Sequence, residues 1–251
     1  MPDSATSTST DLHAELHADA RDAAPDGGHH DAPVAAVGLE AAPTPLSLRL
    51  APGAHADARR AFDLARETFI AGRRLDMGSL AASLGVDRTS VFRWVGNRDA
   101  LLTEVLWSLA VPTLVQADRA TASERGAARV ADLLTRFAGD LITAPYFRDF
   151  LAKEPARALR LLTTKASPIQ HRFLATCEWL VRTEIGDHPF DDGAGEGGEG
   201  DGGIDPASLA YLLVRVSESF TYADLITGEA PEADRAAVAF RHLLRVPPTP
   251  A

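Results

Sequence analysis

The chain holds a single cysteine, Cys177, among 251 residues. An intramolecular disulfide is therefore excluded, and the solitary thiol fits a reducing interior. Its simplest role is that of a small buried hydrophobe, since no second thiol or local cation cluster marks it as a redox sensor. No apolar run approaches the roughly 18 residues of a membrane-spanning helix, and the N-terminus lacks the basic-then-apolar pattern of a secretory leader. A cytoplasmic protein with no membrane partner is expected. Signatures of enzymatic chemistry are also missing. There is no Ser-His-Asp order, no Cys/His metal spacing in an ordered segment, and no Gly-Lys-Ser/Thr after the glycine-rich stretch. Paired carboxylates fall only in tails and loops, so no enzyme is expected and no cofactor is implied.

Basic charge is scarce overall and unevenly spread. The formal charge is −10 and the pI about 5.2, which by itself argues against nucleic acid as a partner. Residues 1–50 carry eight acids against Arg21 and Arg49, and residues 191–205 carry six acids and no base. These two stretches hold −6 and −6, so the rest of the chain is slightly positive. A ligand responds to the local field, because charges beyond a Debye length of about 8 Å are screened. Residues 1–50 are rich in Ala, Asp, Ser, Thr, Pro and His without apolar periodicity and read as a disordered acidic tail. His13, His17, His29 and His30 lie there beside Asp11, Glu15 and Asp31. Gathering them around a metal would cost about 1–2 kcal/mol per ordered residue, and no metal site is assigned. Residues 188–205, mostly glycine and carboxylate, read as a second disordered segment.

The segment from Ala58 to Trp107 carries the functional signal. Phe62, Leu64, Ala65, Phe69 and Ile70 give a first helix its apolar stripe, starting near Ala56. Asp76 is an N-cap for a second helix, with Leu80, Ala81 and Leu84 at helical spacing, and Gly85 suits the left-handed turn that ends it. Asp87 caps a third helix, in which Val91 and Val95 face inward. Arg88, Thr89, Ser90, Arg93 and Trp94 are then left on or near its outer face. This is a helix-turn-helix layout, and those side chains suit phosphate oxygens and base edges. A helical hairpin buried in a core would share the pattern, but eight arginines and no lysine between Ala58 and Trp107 favour a DNA reader.

The run Gly85-Val86-Asp87-Arg88-Thr89-Ser90-Val91-Phe92-Arg93-Trp94-Val95-Gly96-Asn97-Arg98-Asp99-Ala100-Leu101-Leu102 resembles the signature of the TetR family of bacterial regulators. The resemblance spans about fifty residues and implies a homodimer on a double-stranded DNA operator, with DNA contacts from Ser79, Arg88, Thr89, Ser90, Phe92, Arg93, Trp94 and Arg98. Phe92 stands where the family usually has a tyrosine, and Arg98 where it has a lysine, so a point charge becomes a planar fork. Trp94 replaces a frequent histidine or tyrosine.

The expected fold is all-α: a three-helix reader over residues 51–112, then a helical effector-binding and dimerisation domain over 113–246. The helix opened by Asp99 is expected to stop at Pro112. Further helices are expected from Glu124 to Thr143 and after Pro145, Pro155 and Pro168. A final antiparallel pair, Pro206 to Thr227 and Pro231 to Val246, turns at Gly228. In the resembled family such a pair forms the dimer seam, and a small-molecule effector sits inside the second domain. Arg215, Glu218 and Tyr222 share one side of an apolar helix, where they either line an effector pocket or form an ion pair at the dimer seam. Phe137, Phe147, Phe150 and Trp179 either wall a cavity or fill the core. The stretch Glu218 to Glu229 is similar to the QsdR-like subgroup, associated with degradation of lactone quorum signals. The expected function is a repressor released by a small apolar effector, of which a lactone is one example. The alternative is a helical adaptor or ligand-binding protein that does not touch DNA.

Overall fold

The computed structural model describes residues 32–190 and 203–247. The tail before residue 32, with its histidines, and most of the glycine-rich stretch lie outside the described residues. Thirteen helices and no strand occur among the described residues, which makes the fold all-α.

The local signals in the reader act as expected. Helix α3 (Ala56–Ile70) buries Ala61, Phe62, Ala65 and Phe69 along one stripe. Helix α4 (Met77–Leu84) starts at Asp76, whose carboxylate accepts from the Ser79 N–H, and ends at Gly85 with φ 70°, where a side chain would be strained. Helix α5 (Arg88–Val95) is capped by Asp87 and buries Val91 and Val95 completely. These three helices form the helix-turn-helix unit.

Helix α6 (Arg98–Ala120) corrects the expected break at Pro112 by running straight through it. Proline costs a helix interior about 3 kcal/mol, but Pro112 is exposed, so the unbonded backbone lies on the solvent side. Leu102, Val105, Leu106 and Leu109 below it and Leu114 and Ala117 above it are buried in two apolar clusters. That burial outweighs the proline. Helix α6 is also long and apolar enough to cross a membrane by length and composition, but its most apolar window is 61% buried within the fold. Its apolar surface is used in the core.

Helices α7 (Gly126–Thr143), α8 (Pro145–Lys153), α9 (Pro155–Thr163) and α10 (Pro168–Glu184) follow, with proline in the first turn of the last three. The chain closes with α11 (Pro206–Thr221), α12 (Ala223–Ile226) and α13 (Ala233–Leu243). The single helix expected from Pro206 to Thr227 is instead broken at Tyr222. Arg148 accounts for the break: its guanidinium takes the Thr221 carbonyl at 3.3 Å and also bonds Asp224.

The disordered tail expected through residue 50 is corrected from Ala32 onward. Helices α1 (Ala32–Ala41) and α2 (Pro45–Arg49) occupy this stretch, and Val34 and Leu46 are buried. From Ala32 the chain forms one compact unit. One apolar cluster joins the reader to α8 and α9 through Phe69, Leu102, Phe150 and Leu161; the other fills the bundle around Trp107, Leu133, Leu180 and Phe240.

Candidate DNA interface and effector cavity

Recognition helix α5 presents Arg88, Thr89, Phe92 and Arg93 to solvent. The Arg88 guanidinium lies 5.3 Å from the Phe92 ring centroid, so Phe92 serves as a platform that pre-orients a cation. Trp94 is half-buried and packs on the reader core. Ser79 and Ser90, both expected at the DNA, are engaged in the caps of their own helices. The Ser90 hydroxyl donates to Asp87 at 2.8 Å and the Ser79 hydroxyl to Asp76 at 3.0 Å. Hydrogen bonds from the Ser79 and Ser90 backbone and side chains hold both aspartates below the usual carboxylate range. The two serines complete helix caps, and their protons are spent there.

Arg98, also expected at the DNA, is engaged within the fold. Its guanidinium does not face the open reader surface: it grips Glu154, at 2.6 Å through Nη1, and bonds the Leu75 carbonyl. The Arg98 hydrogen bond holds the Glu154 carboxyl below its ordinary value, helped by the Arg157 and Arg74 charges. Arg157 bonds Glu154 at 3.1 Å, and both Arg157 and Arg160 bond Asp99. The first turn of α6 is thus tied to the start of α9. A short-range reading of the sequence misses this link, since Arg98 and Glu154 lie 56 residues apart.

The bundle holds a partly open cavity of about 50 Å³. Apolar side chains, leucine and phenylalanine from α6, α7, α9 and α10 together with Val34, Cys177 and Val214, make most of the wall, and Ser217, Glu218, Thr221 and Tyr222 form a polar patch on it. Of the expected effector residues, Phe137, Glu218 and Tyr222 line this space. Arg215 stands behind Glu218, paired with it at 2.9 Å, and is about one-third exposed. The other three are not brought to the cavity. Phe147 and Phe150 belong to the cluster shared with the reader, Phe150 packing edge-on to Phe69 at 5.5 Å, and Trp179 packs half-buried on the outer bundle.

Burial pushes the Glu218 carboxyl up to about 7, against the pull of the Arg215 charge and of the Gln170 amide. Desolvation outweighs the ion pair because the Glu218 side chain is only 12% exposed. Burial also raises the Tyr222 phenol, and the neighbouring Glu218 adds to that. The Thr176 and Thr221 hydroxyls, both on the cavity wall, have no hydrogen-bond partner. Composition missed the wall residues Thr176 and Cys177, because only the tertiary fold brings α10 to α11. Cys177 is the buried thiol expected, and burial pushes it up to about 12, where it stays protonated and unreactive.

Residues 125–245 match the family model described as tetracyclin repressor-like, C-terminal domain. No curated protein sequence matches the chain. A solved structure, the R. erythropolis transcriptional repressor QsdR from the TetR family, is 27% identical, with a TM-score of 0.59. The match covers 78% of this chain and 97% of that one. With a helix-turn-helix reader ahead of a matched C-terminal domain, the chain belongs to the TetR family of transcriptional regulators.

Proposed function

We propose that this regulator is a cytoplasmic, homodimeric repressor that leaves its operator when a small, mostly apolar effector fills the cavity. The observation that carries the reading is the cavity itself: an apolar wall of leucine and phenylalanine with one ionisable patch, in the same compact unit as an exposed, arginine-bearing recognition helix. Repression is the role given to QsdR, and it is extended here to this chain. A neutral lactone suits the cavity chemistry. Its hydrocarbon part would meet apolar side chains, and its carbonyl would accept from a protonated Glu218 or from Tyr222.

Dimerisation is assigned to α11 and α13. Tyr211, Leu212 and Val238 are 52%, 40% and 64% exposed, and large apolar side chains grouped on neighbouring helices favour a partner surface. Two recognition helices in such a dimer would read half-sites about 34–36 Å apart or a multiple of that. Leu212→Glu combined with Val238→Glu is expected to give monomers in sedimentation velocity and to abolish operator binding at concentrations where wild type is saturated. A variant that stays dimeric would move the seam elsewhere.

The ionisation of Glu218 gives a pH test of the effector class. A protonated carboxyl donates to a neutral carbonyl and a carboxylate does not, so affinity for a medium-chain γ-lactone is expected to fall as pH rises through about 7. An amine effector would show the opposite trend. Glu218→Gln keeps a neutral donor and should flatten the profile. The same raised carboxyl binds its proton more tightly folded than unfolded, so its contribution to stability is lost as pH rises from 4.5 to about 7. Mobility shift on the DNA flanking the gene tests the reading as a whole. The expected result is a shifted band that the lactone reverses. No shift on any flanking duplex overturns DNA regulation, and a shift that no apolar effector reverses overturns the release model.

A further inference from the structure

The segment Ala32–Arg49 reaches both the cavity and the recognition helix. At one end Val34, 4% exposed, forms part of the cavity wall. One turn further on, a Cβ on Gly38 would lie 2.6 Å from two carbons of the Trp107 ring and 2.7 Å from Thr176 Oγ1. Helix α1 therefore lies flush on α6 and α10 at a point that only glycine fits, beside a threonine that itself faces the cavity. At its centre the segment is fastened to a buried ion pair. Arg172 and Glu104 bond at 2.9 and 3.1 Å; Thr44 Oγ1 donates to Glu104 at 2.6 Å, and Arg172 Nε donates to the Ala42 carbonyl at 3.1 Å. At the other end Leu46 is buried in the reader core. Beyond it, Arg49 Nη1 donates to the carbonyls of Arg93 and Trp94, both at 3.1 Å, in the last turn of α5.

We propose that residues 32–49 act as a strap that supplies one wall of the effector cavity and transmits its occupancy to the recognition helix. The proposal rests on the reading of the cavity as the effector site. Val34 is a specificity-determining residue in this account, because the size of its side chain sets the space left for an apolar occupant. An occupant that displaces α1 acts on α2 through the short link that Ala42 and Thr44 anchor, and so on the two hydrogen bonds that Arg49 makes to α5. Such an occupant shifts the reader only through contacts that differ between the two strap positions. Val34, on the cavity wall at the start of the strap, is the residue placed to make them.

The neutral apolar fluorophore N-phenyl-1-naphthylamine is a suitable probe for the full-length protein. Wild type should bind it with enhanced emission. Val34→Phe, which projects a ring into the empty space, should weaken binding at least tenfold. Val34→Ala, which widens the space, should change it less than threefold. Hydrogen–deuterium exchange reads the coupling: the probe should alter exchange over residues 88–97 in wild type but not in Arg49→Ala, while the response over 133–141 persists in both. Equal probe affinity in wild type and Val34→Phe overturns the wall assignment, and an undiminished response over 88–97 in Arg49→Ala overturns the transmission. The Arg49 comparison decides even if Val34→Phe fails to fold. Failure of wild type to bind the probe overturns the effector reading and the strap with it, whereas normal binding with failed variants overturns the strap alone.

Discussion

Replacing Glu104 with alanine should lower stability by about 3–5 kcal/mol, the usual cost of stranding one member of a buried ion pair. In a chain of this size the thermal midpoint would drop by roughly 6–20 °C. Glu104 is 4% exposed and Arg172 is fully buried, so the guanidinium left behind has no water to turn to. Thr44 loses its acceptor in the same variant. Arg172 keeps only the Ala42 carbonyl and the Trp107 ring, whose centroid is 5.4 Å away. Replacing both charges with apolar residues of similar volume should recover most of the loss, since well-packed hydrophobes often match a buried pair. Thermal melts of the two variants check this, and a loss under about 1 kcal/mol for Glu104→Ala would show that the pair is hydrated or dispensable.

Arg93→Ala is expected to weaken operator binding by about 1–3 kcal/mol, roughly 5–150-fold, while leaving the thermal midpoint nearly unchanged. The side chain is exposed on the recognition helix, and only its backbone carbonyl takes part in the fold, as an acceptor for Arg49. Two versions of the contact are separable by salt. Loss of a phosphate contact reduces the salt slope by about 1, and loss of a base contact relaxes sequence preference instead. Arg98→Ala should behave in the opposite way. It releases Glu154 and the Leu75 carbonyl, so stability falls first and any effect on DNA follows from the loosened junction. Fluorescence anisotropy on the selected operator, paired with thermal melts, checks both variants.

These contrasts mark what the sequence made legible. Asp76, Gly85 and Asp87 act within a few residues of themselves, and their caps and turn appear where local chemistry puts them. Pro145, Pro155 and Pro168 start helices for the same reason. Most of the differences are long-range. Ala32–Ala41 has no apolar stripe and few charges, and it is helical because Gly38 lets it lie against Trp107 and α10, a partner no local pattern reveals. Pro112 breaks the local rule because two cores hold the helix on either side of it. Arg98 carries the charge suited to phosphate, but Glu154 claims it from 56 residues away. The polar trio on α11 was visible as a stripe, yet only packing separates Glu218 and Tyr222 on the cavity wall from Arg215 behind them. Phe147 and Phe150 carry no sequence mark that distinguishes a cavity wall from the seam between reader and bundle.

The strap changes what truncation should do. Removing residues 1–31 takes seven acids and Arg21 away from the chain and none of the described helices. Removing residues 1–50 also removes Val34, Leu46 and the Arg49 contacts to α5.

The central claim is that the cavity and the DNA surface are coupled, and reciprocity tests it most directly. The affinity of a medium-chain γ-lactone is measured by calorimetry for the free protein and for the protein saturated with operator, and operator affinity is measured with and without saturating lactone. The account requires lactone to bind the free protein more tightly than the DNA complex, by the same factor as lactone weakens operator binding. Equal lactone affinity in the two states, with tight binding in both, would contradict it.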